Sequence, residues 1–207
     1  MISDTSLSAT QRIQQHSVIS DTAVISHSEQ PTSTVDVATR TIESPVGRLL
    51  LRARADALTG LFFQASRAVT DLPSRTAVQF DVLDSAEAQL DEYFRGRRRS
   101  FDLPLAPEGT DFQQSVWSLL QEIPYGRTLS YGKLASALGD PNKSRAVGLA
   151  NGSNPIGIII PCHRVVGADG SLTGFGGGIT VKRWLLLHEG ADLRDVDGEG
   201  NQFALPF

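Results

Sequence analysis

The chain has 207 residues, 40% of them hydrophobic and 20% charged, with a formal net charge of −4, a composition suited to one large or two small globular domains with real cores. One cysteine and four histidines, two of them (His16 and His27) near the start, exclude an intramolecular disulfide framework and every cysteine-based structural zinc site, and they argue against a histidine-rich metal centre. The acidic average is not that of a nucleic-acid binder, although a local basic face can act on its own, and neither a membrane-length apolar stretch nor an N-terminal apolar signal core is present.

Residues 1–39 are rich in Ser, Thr, Gln and Asp without sustained periodicity and read as a disordered tail. Asp4, Asp21 and the lone early Arg12 argue against a transit peptide. Order is expected from about Arg40. The run from Thr41 to Leu51 reads as strand, turn, strand, with Pro45 and Gly47 at the turn, and Ala57–Phe63 as a further strand. Ala86, Leu90, Tyr93 and Phe94 fall at helical spacing, and Gly96 ends that helix. Arg97, Arg98 and Arg99 follow and are read as a solvated helix end in preference to a phosphate contact. Leu103–Gly109, with two prolines, reads as a linker between an N-terminal α/β domain (40–105) and a C-terminal domain (106–192), with a flexible extension at 193–207.

In the second half Thr110 can cap a helix carrying Phe112, Val116, Trp117, Leu119 and Leu120, which ends before Pro124-Tyr125-Gly126. Two short helices follow, Tyr131–Leu138 and about Lys143–Asn151, separated by Gly139-Asp140-Pro141. Helix, tight glycine turn, helix is the pattern used for docking on DNA, and it also occurs in plain cores. The second of these helices holds Ala146, Gly148, Ala150 and Gly152, small residues that let a backbone approach a narrow groove. Gly174-Phe175-Gly176-Gly177-Gly178 precedes a helix at Thr180–Leu187. No Gly-Lys-Ser/Thr and no G-x-G-x-x-G spacing accompanies it, so a nucleotide loop is rejected in favour of a loop closing over a pocket.

The lone thiol lies in Ile158-Ile159-Ile160-Pro161-Cys162-His163-Arg164-Val165. A cysteine in an apolar run is commonly an inert core residue. Here Pro161 and the polar pair His163-Arg164 break the run at the cysteine, which suits a turn at the core's edge, where neighbouring imidazole or cationic groups favour a thiolate nucleophile.

The segment from Phe112 to Gly190 resembles the active-site domain of the methylated-DNA–protein-cysteine methyltransferases, the O6-alkylguanine-DNA alkyltransferases. The residues that carry the resemblance are Ile123-Pro124-Tyr125-Gly126, Ser130-Tyr131-Gly132, Arg145-Ala146-Val147-Gly148, Ala150-Asn151-Gly152, Asn154-Pro155, Pro161-Cys162-His163-Arg164-Val165, Leu172-Thr173-Gly174, Gly177-Gly178 and Leu185–Glu189. Ser44-Pro45-Val46-Gly47 and Glu92-Tyr93-Phe94-Arg95-Gly96 extend it loosely into the first half. The resemblance implies an α/β fold in two parts: a small N-terminal sheet-and-helix (ribonuclease-H-like) domain, and a mostly helical C-terminal domain with a winged-helix-like helix-turn-helix. It implies irreversible alkyl transfer from O6 of guanine in duplex DNA to Cys162, with O4 of thymine a further candidate. Base flipping is then required, because the adduct is out of a thiol's reach inside a stacked duplex.

The resemblance assigns Cys162 as nucleophile, His163 as the base acting through a water, Glu189 as the group orienting that imidazole, and Tyr131 as a donor to guanine N3. Asn154 would support the cysteine turn. Arg145 would fill the space of the extruded base, with Tyr131, Ser144, Gly148, Gly152 and Ser153 also facing DNA. Val165, Phe175, Gly176 and Gly177 would form the guanine pocket, the carbonyls of Cys162 and Val165 accepting from the exocyclic amine. Three residues depart from the family pattern: Ser153 stands where arginine is common, Gly176 where some members use a serine, and Phe175 where tyrosine is common. No cofactor and no metal are expected, since the thiol is itself the acceptor and a lone cysteine does not suit the structural zinc of some members. The implied partner is alkylated double-stranded DNA, bound in the minor groove by a cytoplasmic monomer without membrane contact. Two rivals remain: a thiol hydrolase pairing Cys162 with His163 or His188, and a lesion-binding module without chemistry.

Overall fold

The computed structural model describes residues 37–63 and 81–191. The expected C-terminal extension lies outside the described residues, as does the expected tail up to residue 36. Its last three residues do not belong to a tail: the first strand, β1 (Val37–Ile42), starts ahead of Arg40, because Val37 and Ala38 pair with Arg54 and Ala53. Three residues are too few to show alternation, which is why the sequence hides them.

β1, β2 (Leu49–Arg54) and β3 (Ala57–Phe63) form an antiparallel sheet in that order. Gly47 turns between β1 and β2 at φ +94°, its N–H bonded to Ser44 O at 3.0 Å. Helix α1 (Asp81–Phe94) lays Val82, Leu83, Ala86, Leu90 and Tyr93 on the sheet, where Leu49, Leu51, Leu58 and Leu61 are almost wholly buried. Gly96, at φ +71°, follows the helix, and of the arginines beyond it Arg98 pairs with Glu92 at 2.7 Å while Arg99 lies over the ring of Tyr125.

The register of β2 against β3 slips between Arg52 and Ala53, leaving Thr59 as an extra residue in β3. Arg52 holds this bulge by donating to Thr59 Oγ1 (3.1 Å) and Thr59 O (3.2 Å). A bulge changes which edge the following residues present. Leu58 and Leu61, three apart, therefore both turn their backbone groups to the outer edge of the sheet. Leu58 pairs there with Leu105, donating to Pro104 O (2.8 Å) and accepting from Ala106 N (2.9 Å). Leu61 pairs with Ile156, donating to Pro155 O (2.8 Å) and accepting from Gly157 N (3.1 Å). The segment read as a linker is thus stitched to β3, and so is the chain just before the cysteine.

The second half is helical. Thr110 caps α2 (Asp111–Gln121) in a reciprocal box with Gln113, and Trp117 of that helix donates to Ala150 O at 2.8 Å. β4 (Leu129–Ser130) pairs in parallel with β5 (Val165–Val166). Ser130 caps α3 (Tyr131–Ala137), and a 3-10 turn at Pro141–Lys143 leads into α4 (Ser144–Gly152), completing the expected helix-turn-helix. α5 (Ile179–His188) closes the described chain. Thr110→Ala removes the capping box and is expected to lower stability by about 1 kcal/mol, read as a lower urea midpoint at unchanged slope.

Candidate active site

Cys162 opens a 3-10 turn, Cys162–Arg164, at the end of a buried run from Ile156 to Pro161. The approach is strained: Ile158 sits at φ +67°, a region β-branched residues rarely enter, and it persists because neighbouring bonds over-determine it. Asn154 spans the loop, donating from Nδ2 to Ile160 O (2.8 Å) and accepting from Ile156 N (3.0 Å). Asn151 Nδ2 reaches Cys162 O at 3.4 Å. The two asparagines and the pairing of Leu61 with Ile156 hold the cysteine turn from both sides.

Behind it stands Glu189, the residue that follows α5, buried at 5% exposure. Its Oε1 accepts from Tyr93 Oη (2.9 Å) and Arg164 Nη2 (2.9 Å) and lies 2.9 Å from His163 Nε2. Its Oε2 accepts from Arg164 Nε (2.8 Å) and the backbone N–H of Gly126 (3.1 Å). A side chain at Gly126 is excluded twice over, by φ +73° and because a Cβ would lie 2.6 Å from Glu189 O. Arg164 also donates to Ile123 O and lies over Tyr125, so each nitrogen of its guanidinium makes a hydrogen bond.

The electrostatics follow from burial. Burial pushes the Glu189 carboxyl up, but His163 and the Arg164 guanidinium outweigh it and hold the group well below the usual carboxylate range. Burial pushes the His163 imidazole down, against the pull of Glu189, which leaves it neutral near pH 7. With Glu189 on Nε2, the proton of the neutral ring belongs there and Nδ1 is left as the acceptor. His163 Nδ1 is buried without a protein hydrogen-bond partner, one of two such side-chain atoms among the described residues, with Asn151 Oδ1. Burial likewise pushes the Cys162 thiol up, only partly offset by Asn154 and the charge of Lys182. The resting pair is therefore a thiol and a neutral imidazole.

Lys182 of α5 is fully buried and pushed down to about 8 by burial. Its ammonium donates to Val165 O (2.6 Å) and Thr173 O (2.7 Å) and stands 6.0 Å from the centre of the Tyr131 ring. The carbonyl of Val165 expected to read an exocyclic amine thus already serves a lysine, with one lone pair left.

A cavity of about 650 Å³ reaches Cys162. Of the residues expected at the site, Asn154, Gly148, Gly152, Ser153, Phe175 and Gly176 line it with the cysteine. Gly177 stands just behind, against Phe63 and Phe175. Tyr131, at the start of α3, faces α4 so closely that a Cβ on Gly148 would be 3.8 Å from its ring. Arg145 is exposed in the first turn of α4, outside the cavity wall, and Ser144 turns its hydroxyl to Pro141 O (3.0 Å). Ser153 donates to Ala150 O (2.9 Å) and accepts from Gln113 (2.8 Å), a brace at the end of α4. Among the described residues no group of three or more His, Cys, Asp and Glu side chains is placed to hold a metal.

Sequence reasoning missed Tyr93, Lys182, Asn151 and Gly126 as members of this site, and it read Arg164 as a cationic neighbour of the thiol without its pairing to Glu189. One signal was available: Lys182, Leu185, Leu186 and Glu189 share one helical face, all buried, and two charges in register with core leucines mark a polar site under the helix.

Comparison with known proteins agrees with this geometry. Residues 37–107 match the ribonuclease-like domain of 6-O-methylguanine DNA methyltransferase, and residues 111–191 its DNA-binding domain. The methylated-DNA–protein-cysteine methyltransferase of Methanosarcina acetivorans is 48% identical over 149 residues, 72% of this chain and 96% of that protein. That of Mycobacterium tuberculosis is 52% identical over 149 residues, 71% and 88% of the two chains. The crystal structure of the Mycobacterium tuberculosis O6-methylguanine methyltransferase is similar with a TM-score of 0.65 at 51% identity, covering 74% of this chain and 93% of that one. The mycobacterial protein in complex with DNA gives 0.64 at 47% identity, covering 77% and 98%.

Glu189→Gln tests the buried carboxylate. Because the folded-state value of Glu189 is depressed, its stabilisation is complete above the ordinary carboxylate range near pH 4.3 and is lost as the pH falls toward the folded value. The variant is expected to lose about 3–5 kcal/mol at pH 7, with the gap to the natural chain narrowing below about pH 4, as measured by urea unfolding at pH 7 and pH 3.

Proposed function

The chain belongs to the 6-O-methylguanine DNA methyltransferase family, and from that premise we propose that it repairs DNA by moving an alkyl group from O6 of guanine to Cys162. One observation carries the assignment of residues. The only thiol lies on a cavity lined by α4 and is followed directly by a neutral, buried histidine whose Nε2 is locked on Glu189 and whose Nδ1 is open to a proton.

The chemistry runs as follows. His163 Nδ1 takes the thiol proton through one water, and Glu189, kept ionised by Arg164, stabilises the imidazolium that forms. The charge of Lys182 favours the thiolate of Cys162. Sulfur then attacks the alkyl carbon. One S–C bond forms and one C–O6 bond breaks, its electron pair returning to the guanine ring. Tyr131 donates a hydrogen bond to N3 as that charge develops. The proton ends on guanine and the protein keeps a thioether. Nothing in the site displaces a thioether, so each molecule acts once and needs no cofactor.

The target base has to leave the stack before it can meet a sulfur at 7% exposure. α4 brings small residues, Ala146, Gly148 and Gly152, to the surface beside the cavity, the shape that a minor groove requires. Arg145, exposed one turn earlier, fills the gap left by the extruded base. Gly152 and Ser144 follow the backbone; Ser153, already braced, adds shape more than a phosphate bond. The guanine lies between the cysteine turn and the loop of Phe175, Gly176 and Gly177. Residues 106–192 do this work on a framework supplied by 40–105. Binding is largely non-specific and falls with salt. No described helix is long and apolar enough to cross a membrane, and we place the protein in the cytoplasm as a monomer.

Incubation with a duplex holding one O6-methylguanine is expected to add one methyl group, ~14 Da, to Cys162 stoichiometrically, as covalent catalysis without regeneration requires. Cys162→Ala should gain nothing and still bind the duplex. Residual transfer, or repeated turnover, would overturn the assignment. Arg145→Ala is expected to slow repair of the duplex about tenfold or more, equivalent to losing roughly 1.4 kcal/mol of flipping free energy, with duplex affinity changed much less in a filter or fluorescence titration.

A further inference from the structure

The cavity wall opposite α4 comes from the other half of the protein. Phe63, the last residue of β3, lines the same cavity as Cys162 and is 7% exposed. Its ring fills the space between the cysteine approach and the glycine loop without slack. A Cβ on Gly157 would stand 3.0 Å from Phe63 Cε2, and a Cβ on Gly177 would stand 2.9 Å from Phe63 Cγ. The ring meets that of Phe175 edge-on, centroids 5.2 Å apart, and Phe175 is in turn 6.4 Å from the ring of His163. Both backbones against which Phe63 lies are glycine, so neither carries a side chain to fill its place if it were cut back. Nor can the ring easily withdraw, because two residues earlier Leu61 is hydrogen-bonded through both N–H and C=O to Pro155 and Gly157.

We infer that Phe63 sets the upper size of the alkyl group this site accepts. The inference rests on the alkyl-transfer reading and adds to it the residue that limits substrate range. The bond changes are the same for a small and a large adduct: one S–C bond made, one C–O6 bond broken, the proton leaving on guanine. What differs is the room beside the sulfur. A methyl group needs little of it, whereas a planar benzyl group reaches further into the cavity, toward the wall that Phe63 and Phe175 form. Size discrimination by a rigid apolar wall is worth one to two orders of magnitude in rate.

The experiment compares single-turnover rates on two duplexes, one with O6-methylguanine and one with O6-benzylguanine, for the natural chain and for Phe63→Ala, Phe63→Leu and Phe63→Trp, each followed by intact mass. The ratio of benzyl to methyl rate is expected to rise about tenfold or more in Phe63→Ala, less in Phe63→Leu, and to fall in Phe63→Trp. Because the ratio is internal to each variant, a general loss of active protein cancels. If Phe63→Ala does not fold, Phe63→Leu and Phe63→Trp still move the ratio in opposite directions. A ratio that stays constant across variants that transfer methyl overturns this inference and leaves the repair function intact. Failure of the natural chain to transfer either group overturns the function, and this inference with it.

Discussion

The molecule is organised around one buried negative charge. A lone carboxylate out of water is costly, and it is retained only where its oxygens are met by donors. Glu189 is met by five, and they come from four residues in three separate parts of the chain: Tyr93 on α1, Gly126 in the turn after α2, His163 and Arg164 on the cysteine turn. Each donor fixes the position of the element that bears it. The same bonds settle the protonation of His163, because a carboxylate on Nε2 decides which nitrogen keeps the proton. Stability and reactivity therefore rest on one group, and the geometry that makes the thiol's neighbour a base is also the geometry that joins the two halves.

A second constraint acts from the opposite side. The bulge at Thr59 turns Leu58 and Leu61 to one edge, and that edge holds Leu105 and Ile156. The cysteine turn is thus suspended between a sheet edge on one flank and Glu189 on the other, with Asn154 and Asn151 spanning the loop. Suspension of this kind is what keeps Ile158 in a backbone region it would otherwise leave. Lys182 completes the arrangement by joining Val165 to Thr173, which ties the strand after the cysteine to the loop before Phe175.

Much of this was legible in the chain. The break of an apolar run by Pro161-Cys162-His163 located the thiol, Thr110 announced the start of α2, and Gly139 with its neighbours separated α3 from α4. These are local features, carried by adjacent residues, and local physics decides them. Tyr93 was read as one more apolar position of α1, because a tyrosine's hydroxyl acquires its meaning only from a partner far along the chain. The register slip at Thr59 was invisible for a like reason: nothing in Leu58-Thr59-Gly60-Leu61 says which strand lies alongside. The linker reading of Leu103–Gly109 was fair to its prolines, yet Pro104 offers its carbonyl to Leu58 without needing an N–H. The resemblance placed Glu189 at the site, but neither resemblance nor spacing gave Phe63 a part in the cavity.

The bulge also constrains how such a chain can change over generations. An insertion or deletion of a single residue in a hairpin is ordinarily among the mildest of events, and the tip between β2 and β3 is exposed. Here, straightening β3 at unchanged length, or adding one residue between Leu58 and Leu61, would set those two leucines on opposite edges and release the segment that carries the thiol, though no atom of the site had been altered. The tip at Ala55-Asp56 lies outside that interval. A longer tip leaves both pairings in place, whereas an added residue between Leu58 and Leu61 would cost one of them.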